Sequence, residues 1–215
     1  PEVRFGGAQL EMPEDTITVE PVKNANRNAY FGDLHVHTTY SFDAFAFGTI
    51  ATPYDAYRYA KGEAIQHPAG FEVKLRRPLD FYAVTDHAMF LGAVKAAADT
   101  STDFSRYSHV QDLHDLNADN NRTFESLPQR VTAFRSFLPD TLEGISYGQI
   151  SENMVNQISK DAWADIALAA QTHYNPGKFT TFVAYEYTSS TDDRGNLHRN
   201  VIFQDADKLP AMPFS

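Results

Sequence analysis

Two histidines one residue apart, His35 and His37, stand between two aspartates, Asp33 and Asp43, in the stretch FGDLHVHTTYSFDA. Alternate side chains of an extended chain share a face, so these two imidazoles point the same way and can share a cation. Asp43, six residues after His37, can loop back to add a carboxylate. Asp86 and His87 follow the apolar run LDFYAV, and Glu186 lies in FTTFVAYEYT. His87 can add an imidazole, and Glu186 can bridge two ions through its two oxygens. Imidazole with carboxylate suits Zn, Mn or Fe better than Mg or Ca, which favour all-oxygen shells. A centre of this kind lowers the pKa of a bound water, supplies hydroxide at neutral pH and clamps the oxygens of an in-line displacement. That is the chemistry of ester hydrolysis, above all of phosphate esters.

Each fragment alone also has an ordinary reading. An isolated His-x-His on a strand most often faces solvent, and Asp86 could cap the helix that follows it. His198 sits in a strand and could be a satisfied core histidine. Glu186 is harder to dismiss, because a carboxylate buried in an apolar strand needs a partner. His67 lies before a proline in a turn, and His109, His114 and His173 lie in irregular or helical sequence; these four read as structural or exposed. His109 and His114 are five apart and do not stack as i, i+4 ligands would.

The elements that must position these groups alternate. YFGDLHVH carries β-favouring residues and reads as a strand entering a loop. ATPYDAYRYAKG reads as a helix, with Thr52 as cap, Pro53 in its first position, Asp55 in its first turn and Gly62 at its end. GFEVKLRRP is one half of a hairpin. LDFYAVTDH suits a strand buried on both faces of a parallel sheet, and AMFLGAVKAAA suits a helix after it. From Ser151, the positions Val155, Ile158, Ala162, Ile166 and Ala169 keep helical spacing to about Thr172. FTTFVAYEYT is a further strand, STDDRGN a turn and LHRNVIF the next strand. Residues 1–28 read as an extended lead-in, 29–215 as the main domain, and about 99–178 as a partly helical insertion. Strands alternating with helices indicate an α/β fold. In such folds the carboxyl ends of parallel strands gather on one face, where ligands bind.

The whole chain agrees with this. Its 215 residues, 42% hydrophobic, are enough for one substantial core. It has no cysteine, which removes disulfides and thiolate ligands and leaves His, Asp and Glu as metal donors. A net charge of −10 argues against broad nucleic-acid binding. A small anionic substrate held at a local positive site remains compatible with it. No run approaches the length of a membrane span, and the opening residues lack the order of a signal peptide. The start at Pro1 reads as trimmed or processed.

Taken together, DLHVHTTYSFDA, DFYAVTDHA and VAYEYTSSTDDRGNLHRNVIF resemble three motifs, in order, of the PHP (polymerase and histidinol phosphatase) superfamily. The third is a strand-end glutamate with a histidine twelve residues later. YFGDLHVHT and GNLHRNVIF are most similar to a long, mostly bacterial branch catalogued as a domain of unknown function. The resemblance implies a distorted (β/α)7 barrel, only partly contained in this chain, holding two or three divalent ions. It implies a first ion on His35, His37 and bridging Glu186, a second on Glu186 and His198, and a third on Asp43 and His87. Asp33 and Asp86 would be the partners that orient ligand imidazoles.

The family also supplies a lone histidine and an Asp-x-His pair late in the chain, and nothing after His198 provides them. The expectation is therefore an N-terminal portion, with a further C-terminal segment completing the barrel and the ligand set. The loop from His37 to Asp43 varies in length within the family.

The expected function is a metal-dependent hydrolase of phosphate mono- or diesters, using metal-activated hydroxide, with Glu186 at its centre. Arg199, beside His198, would add a charge-assisted hydrogen bond to the substrate; Arg76 and Arg77 read as surface residues. Two alternatives stand beside it. One is hydrolysis of sulfate esters, carboxyl esters or amides at the same centre, and the other a non-catalytic metal-binding module. The resemblance tilts localisation towards the periplasm or secretion rather than the cytoplasm.

Overall fold

The structure, a computed structural model, describes residues 27–191 and 195–215. Almost all of the expected lead-in, and the middle of the STDDRGN turn, lie outside the described residues. The fold is mixed α/β, built on a curled, half-barrel sheet with helices packed against it.

Four strands form that sheet in the order β1-β4-β5-β6: β1 (Gly32–Asp33), β4 (Phe81–Val84), β5 (Thr180–Thr191) and β6 (Gly195–Ile202). β1 pairs parallel with β4, and β4 parallel with β5, from Phe81↔Thr180 to Val84↔Val183. β5 and β6 pair antiparallel, so the last two strands form a hairpin and not another β/α unit. A connection of a few residues can only reverse the chain; a parallel return needs a long crossover. Curling is visible in one bond: the Asn200 side chain on β6 donates to the Leu34 carbonyl just after β1, at 2.8 Å. The two edges of the sheet thus approach each other at the end where the polar groups lie.

β1 is shorter than the sequence suggests. Only two of its residues enter the ladder, yet its direction is kept beyond them. Val36 donates to the Thr85 hydroxyl (2.8 Å) and accepts from the Thr85 N–H (2.7 Å), so His35 and His37 leave the strand still held against β4. Gly32 makes the close pairing possible, since a Cβ there would run into Phe81.

The first crossover carries α1 (Phe42–Ala46), α2 (Pro53–Ala60) and a small hairpin of β2 (Ile65–Gln66) and β3 (Glu72–Val73). α2 has the expected start: Thr52 and Asp55 form a reciprocal capping box with Pro53 in the first turn. Gly62 follows its end with φ +83, a conformation that favours glycine.

The second crossover carries α3 (Ala93–Ala98), short 3-10 turns between Phe104 and Ser126, α4 (Leu127–Ser146) and α5 (Glu152–His173). α3 starts later than AMFLGAVKAAA implies. Ala88 is drawn to the Glu186 carbonyl and Gly92 to the Tyr40 carbonyl, so residues 88–92 make turns instead of helix.

Two cores result. Tyr57, Ala60, Val84, Trp163, Ile166 and Tyr185 pack between α2, α5 and the sheet. Phe104, Val110, Leu116 and Phe137 pack with α1 and α3 under α4. α5 takes part in both, with Val155 near its start in the second and Trp163 to Ala170 in the first, against the sheet. It is therefore the crossover helix joining β4 to β5, and the irregular part of the expected insertion ends before it.

Candidate metal centre

The carboxyl ends of the parallel strands meet, and the predicted donors meet with them. His35 and His37 follow β1, His87 follows β4 and bridges in parallel to Glu186, Glu186 lies within β5, and His198 lies on β6. Asp43 arrives by a route the sequence reading did not foresee: it sits in the first turn of α1 and not in a loop.

Three groups have donor atoms all within 4.8 Å of one another: His35, His37 and Glu186; His37, Asp43 and His87; and His87, Glu186 and His198. His, Asp and Glu side chains around buried Glu186 and His87 are thus arranged so that they could hold metal. In the first group, His35 Nε2 and His37 Nε2 are 3.1 Å apart. Glu186 Oε2 lies 3.3 Å from the former and 2.9 Å from the latter. Donors at these separations fit around one ion at ligand distances of about 2.0–2.2 Å.

The Glu186 carboxylate is 2% exposed, and its two oxygens face different imidazoles. Oε1 lies 2.6 Å from His198 Nδ1. Oε2 faces His35 and His37, with His87 Nδ1 at 3.5 Å, and has no hydrogen bond of its own among the described residues. A buried carboxylate oxygen among three imidazoles calls for a cation. The side chains of His35 and His198, 61% and 44% exposed, leave one side open to solvent.

On the other side, His87 Nε2 lies 3.3 Å from Asp43 Oδ2, and His37 Nδ1 lies 3.5 Å from Asp43 Oδ1. Burial would raise the Asp43 pKa, but hydrogen bonds from His37, His87 and Ser41 outweigh it and hold the group well below the usual carboxylate range. Burial likewise opposes charge on His37, yet the bond to Asp43 and the nearby carboxylates of Asp43, Asp86 and Glu186 leave its pKa raised.

The two aspartates expected to orient imidazoles do something else. Asp33 accepts the His35 backbone N–H at 3.0 Å. Asp86, fully buried, accepts the Thr38 hydroxyl at 2.6 Å and the Thr38 backbone N–H, clamping the loop that follows His37. Nor does Asp86 cap α3, whose N-cap is Gly92. Burial pushes the Asp86 carboxyl up to about 6, against the pull of the Thr38 bonds.

Arg199 pairs with Tyr187, while His198 pairs with Thr188. Strand alternation therefore puts Arg199 on the opposite face of β6 from His198, away from the donor groups. The remaining histidines have local partners: His67 stacks on Phe71, His109 meets the Thr141 hydroxyl, His114 the Ser105 carbonyl, and His173 the Tyr57 ring.

Three hydroxyls in the site were not anticipated. Ser41 Oγ lies 2.7 Å from His37 Nδ1 and 2.7 Å from Asp43 Oδ1, and accepts the His87 N–H at 3.2 Å. Thr188 Oγ1 lies 2.6 Å from His87 Nδ1 and 3.4 Å from His198 Nδ1. Thr38 holds Asp86. Thr188 carried a signal: two residues beyond Glu186 on a strand, it shares that face. Ser41 and Thr38 carried none.

The fold and this cluster define a mixed α/β protein whose strand ends converge on a His/Asp/Glu group able to hold metal. Within that class, the chain belongs to the family described as protein of unknown function (DUF3604), whose profile matches residues 24–215. No curated protein and no solved structure matches it.

Proposed function

We propose that this centre belongs to a PHP-type, metal-dependent phosphoesterase acting on phosphate mono- or diesters. The observation that most supports this is the buried Glu186 carboxylate, with His35 and His37 against one oxygen and His198 against the other. That is the placement a bridging ligand needs.

Two or three ions of zinc, manganese or iron would activate water and neutralise charge on the ester oxygens. His35, His37 and Glu186 would hold one. Glu186 and His198, with His87 beside them, would hold another, and Asp43 with His87 a third. Buried Glu186 and His87 keep bulk water from the inner side of the group. Asp43, held ionised by its neighbours, stays available as a donor across the neutral range. A small anionic ester would enter over the exposed edges of His35 and His198. Arg199, on the opposite face of β6 from His198, takes no part.

The test is turnover of an aryl phosphate and an aryl phosphodiester by the protein loaded with zinc or manganese. Aryl sulfates and carboxyl esters serve as controls. Phosphate-ester hydrolysis that disappears on chelation, and is absent in Glu186→Gln, is the expected result. Turnover confined to the control esters would overturn the choice of bond.

A further inference from the structure

We infer that Ser41 is a positioning residue of this centre, whose hydroxyl fixes His37 as its Nδ1–H tautomer and so commits Nε2 to the group formed with His35 and Glu186. The inference rests on reading His37 as a ligand. A serine hydroxyl has one proton and two lone pairs. Ser41 Oγ has three polar neighbours: Asp43 Oδ1 at 2.7 Å, His37 Nδ1 at 2.7 Å and the His87 backbone nitrogen at 3.2 Å. The backbone N–H can only donate, so it takes one lone pair. A carboxylate can only accept, so the single proton goes to Asp43, whose Oδ1 also accepts the Ala44 N–H at 2.7 Å. What remains on Ser41 is a lone pair, and it faces His37 Nδ1. That nitrogen must carry a proton.

In a neutral His37 ring the lone pair is then on Nε2, which faces His35 Nε2 at 3.1 Å and Glu186 Oε2 at 2.9 Å; that carboxylate oxygen also only accepts, so the contact would be completed by the ion and not by a proton. Two of the three donor groups include His37. With Nδ1 protonated, His37 ligates in the first and only supports the second, leaving Asp43 and His87 as the ligands there. Ser41 is fully buried, so no water replaces its hydroxyl without rearrangement. Thr188 offers a contrast. With His87 Nδ1 at 2.6 Å and, among the described residues, only the ring nitrogen of His198 beyond it, its hydroxyl can donate or accept, and the His87 tautomer stays open.

The experiment begins with the wild-type chain, metal-free and labelled at histidine with ¹⁵N, at a pH raised until the ring ¹⁵N shifts show His37 to be neutral, since its carboxylate neighbours hold its pKa above the ordinary value. Two-bond and three-bond correlations in the ring report the tautomer. Nδ1–H is expected for His37; an Nε2–H pattern would overturn the proposal, and this readout needs no variant to fold. In Ser41→Ala, the tautomer should become mixed and zinc affinity, measured by chelator competition, should fall about 10–100-fold. A variant with both properties unchanged would also overturn it. Ester turnover is read separately. A chain with this tautomer that binds zinc but hydrolyses no phosphate ester would remove the phosphoesterase reading and leave the role of Ser41 standing.

Discussion

Each oxygen of the Glu186 carboxylate meets a different set of rings, and burial makes that arrangement costly without a cation. A buried charge is poorly compensated by neutral imidazoles. Removing it should therefore separate stability from binding. Glu186→Gln keeps the shape and can keep a hydrogen bond from His198, so the metal-free variant should melt no lower than wild type. Wild type should gain stability on adding zinc, by about 2.7 kcal/mol at a hundredfold excess over Kd, and the variant should gain little. Thermal melts of both proteins with and without zinc check this; an equal gain would place the ion elsewhere. At this scale the sequence was informative where chemistry restricts the residue type. Histidine pairs and a glutamate in an apolar strand stand out because few structural roles call for them. Ser41 and Thr38 did not, because hydroxyls serve in countless turns and caps. Their role depends on neighbours 46 to 48 residues away.

Among the elements, α1 shows how the site depends on packing some distance from it. α1 is five residues long and carries Asp43, too short to stand on its own propensity. Arg130, from α4, anchors its end. Buried and, among the described residues, without a carboxylate partner, its guanidinium donates to the carbonyls of Ala46, Leu116 and Asn121, to Asn117 Oδ1 and to Ser126 Oγ. Truncating it would strand several buried acceptors. Arg130→Ala should cost about 3 kcal/mol or more in urea unfolding, and Arg130→Lys should recover little, because an ammonium cannot reproduce the planar fork. Full recovery by lysine would show that charge alone matters. The legible elements were those with local signals: α2 through Thr52, Pro53 and Asp55, and α5 through its apolar spacing. α4 was hidden because Pro128, Pro139 and Gly144 interrupt its pattern. Gly144 is there for contact, as a Cβ would strike the Ile150 side chain. β1 was overestimated because the residues after it stay extended while pairing through the Thr85 side chain and backbone instead of a ladder.

For the molecule as a whole, pH acts through histidines outside the centre as well as within it. Burial depresses the pKa of both His173 and His109; at His173 the Lys61 and Arg58 charges add to it, and Glu63 opposes it. A depressed histidine binds its proton more readily when the chain unfolds. Stability from these two groups is therefore intact above about pH 6.5 and falls as the pH drops below it. His37, raised in the folded state, works the other way in metal-free protein: its contribution is complete below the same pH and fades as the pH rises. His173→Phe keeps a ring against Tyr57 without the titration. Its urea midpoint should fall less than that of wild type between about pH 7.5 and 5.5. Equal falls would count against His173 as a source of acid sensitivity. The strand order has a last consequence. Every strand of the four-stranded sheet brings a donor to the centre, from His35 beyond β1 to His198 on β6, and the chain contains no cysteine. Ions shared through Glu186 would tie together segments from opposite ends of the sheet, closing long loops of backbone as a covalent cross-link does. The same atoms would then serve as reagent and as fastening, and stripping the metal would loosen the sheet along with the chemistry.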